Sequence, residues 1–570
     1  MRSISFIIPV HNEKKRLKKI FEALKEVELP RGLGLSEVIF VDNGSTDKTF
    51  LKLADFAREN GNINISIISY KTKLPAKKVF LEGLKASKSH YTILLNKDLS
   101  NLKQELNKLK IKKVPNKNSL AQEENIEKLI KNYNKPESLL VISSYPKKQE
   151  TYSNGVCAVA SFTKNTISSL SKIQKFKKII VLTMVLDKEE VYEENGILVV
   201  RCFRRNNPFS YFDLFKKIRL FNVTRKVLIE FEFASFGDTK ATLAILPLVW
   251  SLYFLRKDVT IVVHQVVLDL NKLGGHIGIS SRKILSYIFN PALMLYYRLL
   301  SYPAKNIVVL EEDLRERIST IVRPEKVHFV PHGVPKVQMH NLKKRAARKL
   351  LGIEDEIIIL YFGYLTWYKG VDFLIRTFIG KKRLNGKKIK LIIAGGPSFT
   401  QEKKPHYKKF ITTIQNMMKK APSNVKFTGF VEEKDIPLYF SASDLVVLPY
   451  RAFISSSGPL SFALAFNKPF LLSEALGDIL HSRDIEESIK KIGLTKKDLL
   501  FRLNQKSLIK KIRLSLERRQ YKKLKELSTL LANKRSFKKL AASYDKVLTT
   551  EPVKTKRFFF IPILNYRIYV

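Results

Sequence analysis

Cysteine is nearly absent: Cys157 and Cys202 are the only two among 570 residues. A disulfide framework is thereby excluded, and a reducing compartment fits best. Long apolar runs are also missing. No segment reaches the ~18 uninterrupted apolar residues of a bilayer span. The nearest, ATLAILPLVWSLYFL from Ala241 to Leu255, is too short and holds Pro247, so it reads as a buried or interface helix. The N-terminus, MRSISFIIPVHNE, lacks the basic leader and small-residue cleavage site of a signal peptide and reads as a first strand. Zinc-finger spacing and other nucleic-acid modules are lacking as well, which sets nucleic acid aside as a partner.

Negative charge is scarce. Against 103 Lys and Arg stand 52 Asp and Glu, a formal net charge of +51. Such an excess suits contact with nucleic acid, an anionic membrane surface or phosphate-bearing substrates. The lysines are spread along the whole chain, which is equally the mark of a Lys-rich composition with no single partner. Hydrophobic residues at 45% and charged residues at 27% give the balance of a globular protein. The length exceeds what one core serves, so two to four domains are expected.

Three α/β series follow one another. Residues 1–100 alternate strand and helix patterns (SISFIIPV, SEVIFVD, ISIISY, YTILLN), as in a parallel sheet with helices on both faces. A Lys-, Asn- and Gln-rich stretch follows, and LLVISSY at 139–145 adds a further strand to this first module. A second series opens near Phe176 with KKIIVLTMV, and a third after residue 338 with IIILYFGYL, KIKLIIAGG, VKFTGF, DLVVLPY and KPFLLSE. Strands ending in small or polar residues place ligands at their C-terminal ends. Residues 482–550 read as basic helices, and 551–570 as an aromatic tail.

The strongest chemical signal lies in the third series. Strand IIILYF runs into Gly363-Tyr364-Leu365-Thr366-Trp367-Tyr368-Lys369-Gly370 and then a helix. A glycine turn admits a phosphate, the helix start offers unpaired N–H groups, and Lys369 adds a point charge for a diphosphate. Alone, such a turn is as often purely structural. Ala394-Gly395-Gly396-Pro397, Phe427-Thr428-Gly429-Phe430-Val431 and the small-residue loop Ser455-Ser456-Ser457-Gly458-Pro459-Leu460 extend the pattern.

Taken in order, HGV at 332–334, FGYLTWYKGVDFLI, IIAGGP, VKFTGFVEEKDIPLYFSASDLVVLPY and SSSGPLSFALAFNKPFL resemble the family 4 glycosyltransferases of GT-B architecture. The resemblance covers roughly 176–550. It implies a nucleoside-diphosphate sugar bound between two Rossmann-like domains, transfer with retention, and no essential metal. By that likeness Gly363, Tyr364 and Lys369, with Gly395 and Gly396, belong to the donor site. Phe430 and Val431 would meet the base, and Ser456, Ser457, Gly458 and Leu460 would form the sugar-phosphate loop. The family's Arg is replaced by Tyr364, and its Glu-x7-Glu pair by Ile454 and Phe462, which leaves the donor open. His264, ending the strand VTIVVHQ, resembles a strand end that faces the reaction centre. A histidine there also serves as a satisfied core group. The family's glycine-rich loop after the first strand is missing from VLTMVLDKEE.

Residues 1–100 resemble family 2 glycosyltransferases of GT-A fold, near the dolichyl-phosphate mannose synthase type. The likeness rests on Ile7-Ile8-Pro9-Val10-His11-Asn12-Glu13 and on Val41-Asp42-Asn43-Gly44-Ser45-Thr46-Asp47-Lys48-Thr49. It implies a nucleotide site at Pro9, Glu13, Asp42 and Asp98. Where the family holds a divalent cation (Mg or Mn) with Asp-x-Asp, this chain has Asn96-Lys97-Asp98, so one carboxylate is gone. The expectation is therefore an α/β chain. An incomplete GT-A-like module (1–172) precedes an acceptor domain (176–338) and a donor domain with terminal helices (339–550). The activity expected is sugar transfer to a glycan or lipid-linked acceptor, in cell-surface polysaccharide or glycolipid synthesis. Basic helices and the FFFIPIL tail suggest a cytoplasmic protein held peripherally on the membrane. Two active modules, or a non-catalytic binding protein, are the alternative readings.

Overall fold

In the computed structural model, the described residues are 2–95 and 117–550, apart from 28, 30–32, 62, 90, 174, 177, 271–282, 337–341, 354, 380 and 422. The chain divides into two compact units, 1–128 and 129–570. Asp98 and the aromatic tail lie outside the described residues.

In the first unit, strands β1 (Arg2–Val10), β2 (Leu33–Asn43), β3 (Ile65–Tyr70) and β4 (Tyr91–Leu94) form a parallel sheet in the order β3-β2-β1-β4. Alternation within β1 builds both faces at once. Ile4, Phe6 and Ile8 join Phe40, Leu53 and Phe56 on one side, while Ile7 joins Ile39, Val41 and Val79 on the other. Each such fully buried side chain contributes about 1.5–3 kcal/mol. The order reverses between β1 and β4, so a crevice opens beyond the ends of β1 and its neighbours.

The second unit begins with an eight-stranded sheet. Its strands are β5 (Leu139–Ile142), β6 (Ile179–Met184), β7 (Glu190–Glu194), β8 (Ile197–Phe203), β9 (Lys226–Phe231), β10 (Asp258–Val263), β11 (Asn306–Val309) and β12 (Val327–Phe329). They run in the order β12-β11-β10-β9-β5-β6-β8-β7, with only β7 antiparallel. Here the structure departs from the sequence reading. LLVI is not a last strand of the N-terminal module; β5 sits at the centre of this sheet, paired with β6 and β9. All four of its residues are fully buried, as a central parallel strand requires. The boundary expected at 172–176 therefore lies near 128. The loop after the true first strand is 143–157, and it does carry a glycine, Gly155. Arg201, buried on β8, holds that loop by donating to the carbonyl of Pro146.

A second sheet follows, built of β13 (Ile357–Phe362), β14 (Arg383–Leu384), β15 (Lys387–Ala394), β16 (Val425–Gly429), β17 (Leu445–Leu448), β18 (Phe470–Ser473) and β19 (Leu500–Phe501). The order is β14-β15-β13-β17-β18-β19, with β16 also beside β15. All five strands expected in this series are present. The terminal helices are not all of one domain, however. Phe537–Thr549 returns to the first sheet, where Phe537, Leu540 and Tyr544 pack with Leu139, Val141 and Phe162. The chain thus passes between the sheets twice, and the two passages touch: Val334 N–H donates to Arg535 O at 2.7 Å.

Candidate active site

The two sheets of the second unit enclose a cleft of about 660 Å³. From the second sheet, β13 ends at Phe362 and the chain turns through Gly363 to the short 3-10 turn Trp367–Lys369. Gly370 closes the turn in the left-handed region, φ 70°, and a Cβ there would lie 2.0 Å from Pro449 O. Only glycine fits. The helix Val371–Ile379 starts at once, and Lys369 is left facing the cleft. Burial depresses the Lys369 ammonium to about 8, against the opposing pull of Glu232.

The loop 455–458 meets this turn. A Cβ built on Gly363 would stand 3.1 Å from Pro459 Cγ and 3.2 Å from Lys369 Nζ. Ser457 caps the helix Gly458–Ala465, its Oγ accepting from Leu460 N–H at 3.3 Å. Ser456 Oγ is buried in the cleft wall with no hydrogen-bond partner among the described residues, so it has both a donor and an acceptor to offer a ligand.

The first sheet supplies the opposite wall. His264, just beyond β10, sets Nε2 2.7 Å from Glu230 Oε2 on the neighbouring β9. Phe162 packs edge-on to the imidazole at 5.0 Å. Glu232, two residues past Glu230, reaches the cleft, where its Oε1 accepts from Gln265 Nε2 at 3.0 Å. Burial raises the Glu232 carboxyl; His264 and Lys369 pull it back down. Lys369 and Glu232 therefore act on each other across the cleft. His332 Nδ1 lies 2.9 Å from both Gly333 O and Ser461 Oγ. Burial and the neighbouring His264 drive its pKa down to about 3, so it stands neutral.

The loop after β5 completes the enclosure. Glu433, on the second sheet's side, accepts from the backbone N–H groups of Thr151 at 2.8 Å and Tyr152 at 2.9 Å. The Tyr152 ring stacks on Phe430 at 5.6 Å and meets Phe462 edge-on at 6.2 Å.

Residues 343–477 match the profile of Glycosyl transferases group 1, and residues 5–112 that of Glycosyl transferase family 2. The chain holds two glycosyltransferase-family segments in tandem. The group 1 segment carries the Lys369 turn and the serine loop; the family 2 segment lies within the first unit.

Among curated proteins, glycosyltransferase MJ1607 of Methanocaldococcus jannaschii is 28% identical over 156 residues. Glycosyltransferase YtcC of Bacillus subtilis is 30% identical over 104. These stretches span 26% and 18% of this chain, but only 37% and 25% of those relatives. Solved structures share the GT-B fold. The sucrose-phosphate synthase of Thermosynechococcus elongatus aligns with TM-score 0.54 at 13% identity, over 72% of this chain and 98% of its own. The trehalose-6-phosphate synthase OtsA aligns at 0.51 and 10% identity, over 73% and 100%.

Of the residues expected at the group 1 donor site, Gly363, Tyr364, Lys369, Ser456, Ser457 and Gly458 line the cleft, and His264 faces them. Others stand back from it. Gly395 and Gly396 are spacers: a Cβ on Gly395 would fall 2.0 Å from Gly363 O, and one on Gly396 3.0 Å from Phe430 N. Val431 and Leu460 are buried in the core, and Phe430 spends its ring on Tyr152. Sequence reasoning did not single out Thr151, Tyr152, Phe162 or Glu433. The signal for the first three lay in the LLVI strand, once placed in the correct sheet.

The family 2 segment gathers its two motifs at the ends of β1 and β2. Asn12 Oδ1 accepts from Thr46 N–H at 2.8 Å, and Glu13 N–H donates to Thr49 Oγ1 at 2.9 Å. Pro9 is the last residue but one of β1. Asp42 is buried with both carboxylate oxygens engaged: Ser45 N–H donates to Oδ1 at 3.1 Å and Ser69 Oγ to Oδ2 at 3.2 Å. Among the described residues no group of three or more His, Cys, Asp or Glu could hold a metal ion.

Proposed function

We propose that the second unit transfers a sugar from a nucleoside-diphosphate sugar to a glycan or lipid-linked hydroxyl, with retention, in the synthesis of surface polysaccharide or glycolipid. One observation carries the reading. The Lys369 turn and the serine loop of the group 1 segment converge on one side of a cleft whose other side presents His264 and Glu232.

Breaking the bond between the anomeric carbon and the phosphate oxygen leaves a diphosphate with one more negative charge. Lys369 and the Ser456 hydroxyl, both lining the cleft, are the groups that would meet that charge. For retention, the acceptor oxygen bonds to the anomeric carbon on the face that the diphosphate leaves, and its proton passes to the departing phosphate oxygen, while His264 stands on the opposite wall of the cleft. Glu230 fixes the imidazole through Nε2, a positioning role. We assign the family 2 segment a binding or structural role without transfer.

Release of nucleoside diphosphate from a panel of nucleotide sugars tests this. We expect Lys369→Ala to cut turnover by ~10²–10³-fold and Asp42→Ala to leave it within a few-fold. Undetectable release and no thermal protection by any donor would remove the reading. So would loss of turnover in the Asp42 variant with Lys369→Ala unaffected.

A further inference from the structure

Exposed large hydrophobic side chains are not scattered evenly over the described residues. They concentrate between Phe209 and Tyr302, where Phe209 is 77% exposed, Phe212 68% and Phe254 65%. These residues lie on or beside three neighbouring helices of the second unit. Ile245–Phe254 packs against both Ser210–Leu220 and Lys283–Ser301. The inner faces of all three, through Leu214, Leu248 and Leu300, join one core layer against the first sheet. Their outer faces therefore form a single surface.

That surface is apolar where a water-facing one is charged. Ile245–Phe254 carries no charged residue on any side, whereas a helix at a water interface keeps its outer face polar. Contiguous exposed apolar area of this kind marks an interaction site. The charges that accompany it are mostly basic, with Asp213 and Asp238 the exposed acids among them. Lys216, Arg219, Lys240, Arg256 and Arg298 are exposed around it. Asp213, the only acidic residue on these three helices, is tied to Lys216 at 3.2 Å.

We propose that this three-helix face docks on an anionic lipid surface, with Phe209, Phe212 and Phe254 inserted among the acyl chains and the basic residues on the headgroups. Aromatic insertion and attraction to anionic lipid are the two signals that peripheral binding needs. A second copy of the chain is a poor occupant, since two such faces would set like charges against each other. No described helix is long and apolar enough to cross the bilayer, so the contact is one of lying on the surface. The face is distinct from the cleft, so the inference stands or falls independently of sugar transfer.

The test is flotation of the full chain with vesicles of phosphatidylcholine alone and of phosphatidylcholine mixed with phosphatidylglycerol. We expect binding to the mixed vesicles only, weakened by salt. Phe209→Asp, Phe212→Asp and Phe254→Asp together should reduce it by ~10-fold or more, with the melting temperature unchanged. A second variant, Lys216→Glu with Arg219→Glu, keeps the aromatics and should lose the preference for anionic lipid. Equal flotation of wild type and both variants would overturn the proposal, as would no flotation of wild type. A dimer in solution that the aspartate variant dissociates would overturn it too.

Discussion

Lys369 shows how one side chain joins folding to chemistry. Its ammonium is held at about 8 because burial opposes charge. With a native pKa below the unfolded value of 10.5, the folded chain binds fewer protons than the unfolded one between about 8 and 10.5. Folding therefore bears the cost of this charge in full below pH 8, and sheds it as pH rises through that window. Ligand binding runs the other way. The charge that would meet a diphosphate is present below about pH 8 and lost above it. Affinity for a nucleoside diphosphate should fall by up to about tenfold per pH unit there, measured by titration calorimetry. Lys369→Arg should bind without that break, since guanidinium stays charged. A wild-type affinity flat from pH 7 to 10 would contradict this account.

At the scale of elements, the loop 143–157 is held by a carboxylate from across the cleft. Glu433 stands at the rim, yet it satisfies two N–H groups that would otherwise face water. Removing it should cost about 1–1.5 kcal/mol at the loop. In Glu433→Ala, hydrogen exchange at Thr151 and Tyr152 should therefore quicken by roughly tenfold, with exchange in β13 unchanged. Equal rates in both proteins would show that the carboxylate carries no load. The same loop marks the limit of what the sequence told. Strands β13, β15 and β17 were readable because each holds a branched apolar run that ends at glycine or a turn. LLVI has the same composition, but it follows a Lys- and Asn-rich stretch that reads as a module's end. Its partners β6 and β9 lie far along the chain. Local pattern identified the strand and could not assign its sheet. The His264–Glu230 contact was hidden for the same reason, since adjacency of β9 and β10 brings the two together. Gly395 and Gly396 show the reverse error: their small size serves backbone packing one layer behind the ligand space.

Across the whole molecule, the touching passages at 334–336 and 535–536 are pinned by one buried arginine. Arg535 makes two hydrogen bonds to Asp484, at 2.6 and 2.8 Å, and approaches Glu311 at 3.5 Å. The pair with Asp484 uses up its charge, so Glu311 is the surplus carboxylate, and burial lifts it to about 7. With a native pKa above the ordinary 4.5, the folded chain holds more protons between about 4.5 and 7. Stability from this group is complete below that window and lost as pH rises through it, on the order of 3 kcal/mol. The melting temperature of wild type should fall between pH 5 and 7.5 more steeply than that of Glu311→Gln. Parallel profiles would exclude Glu311 as the cause.

The return of Phe537–Thr549 to the first sheet makes the two halves of the second unit unequal as building blocks. A chimaera that imports a foreign donor half must be cut at both passages, leaving the final helix native. A single cut near 338 would discard Tyr544 and its neighbours, and the recipient sheet would open on its bare back.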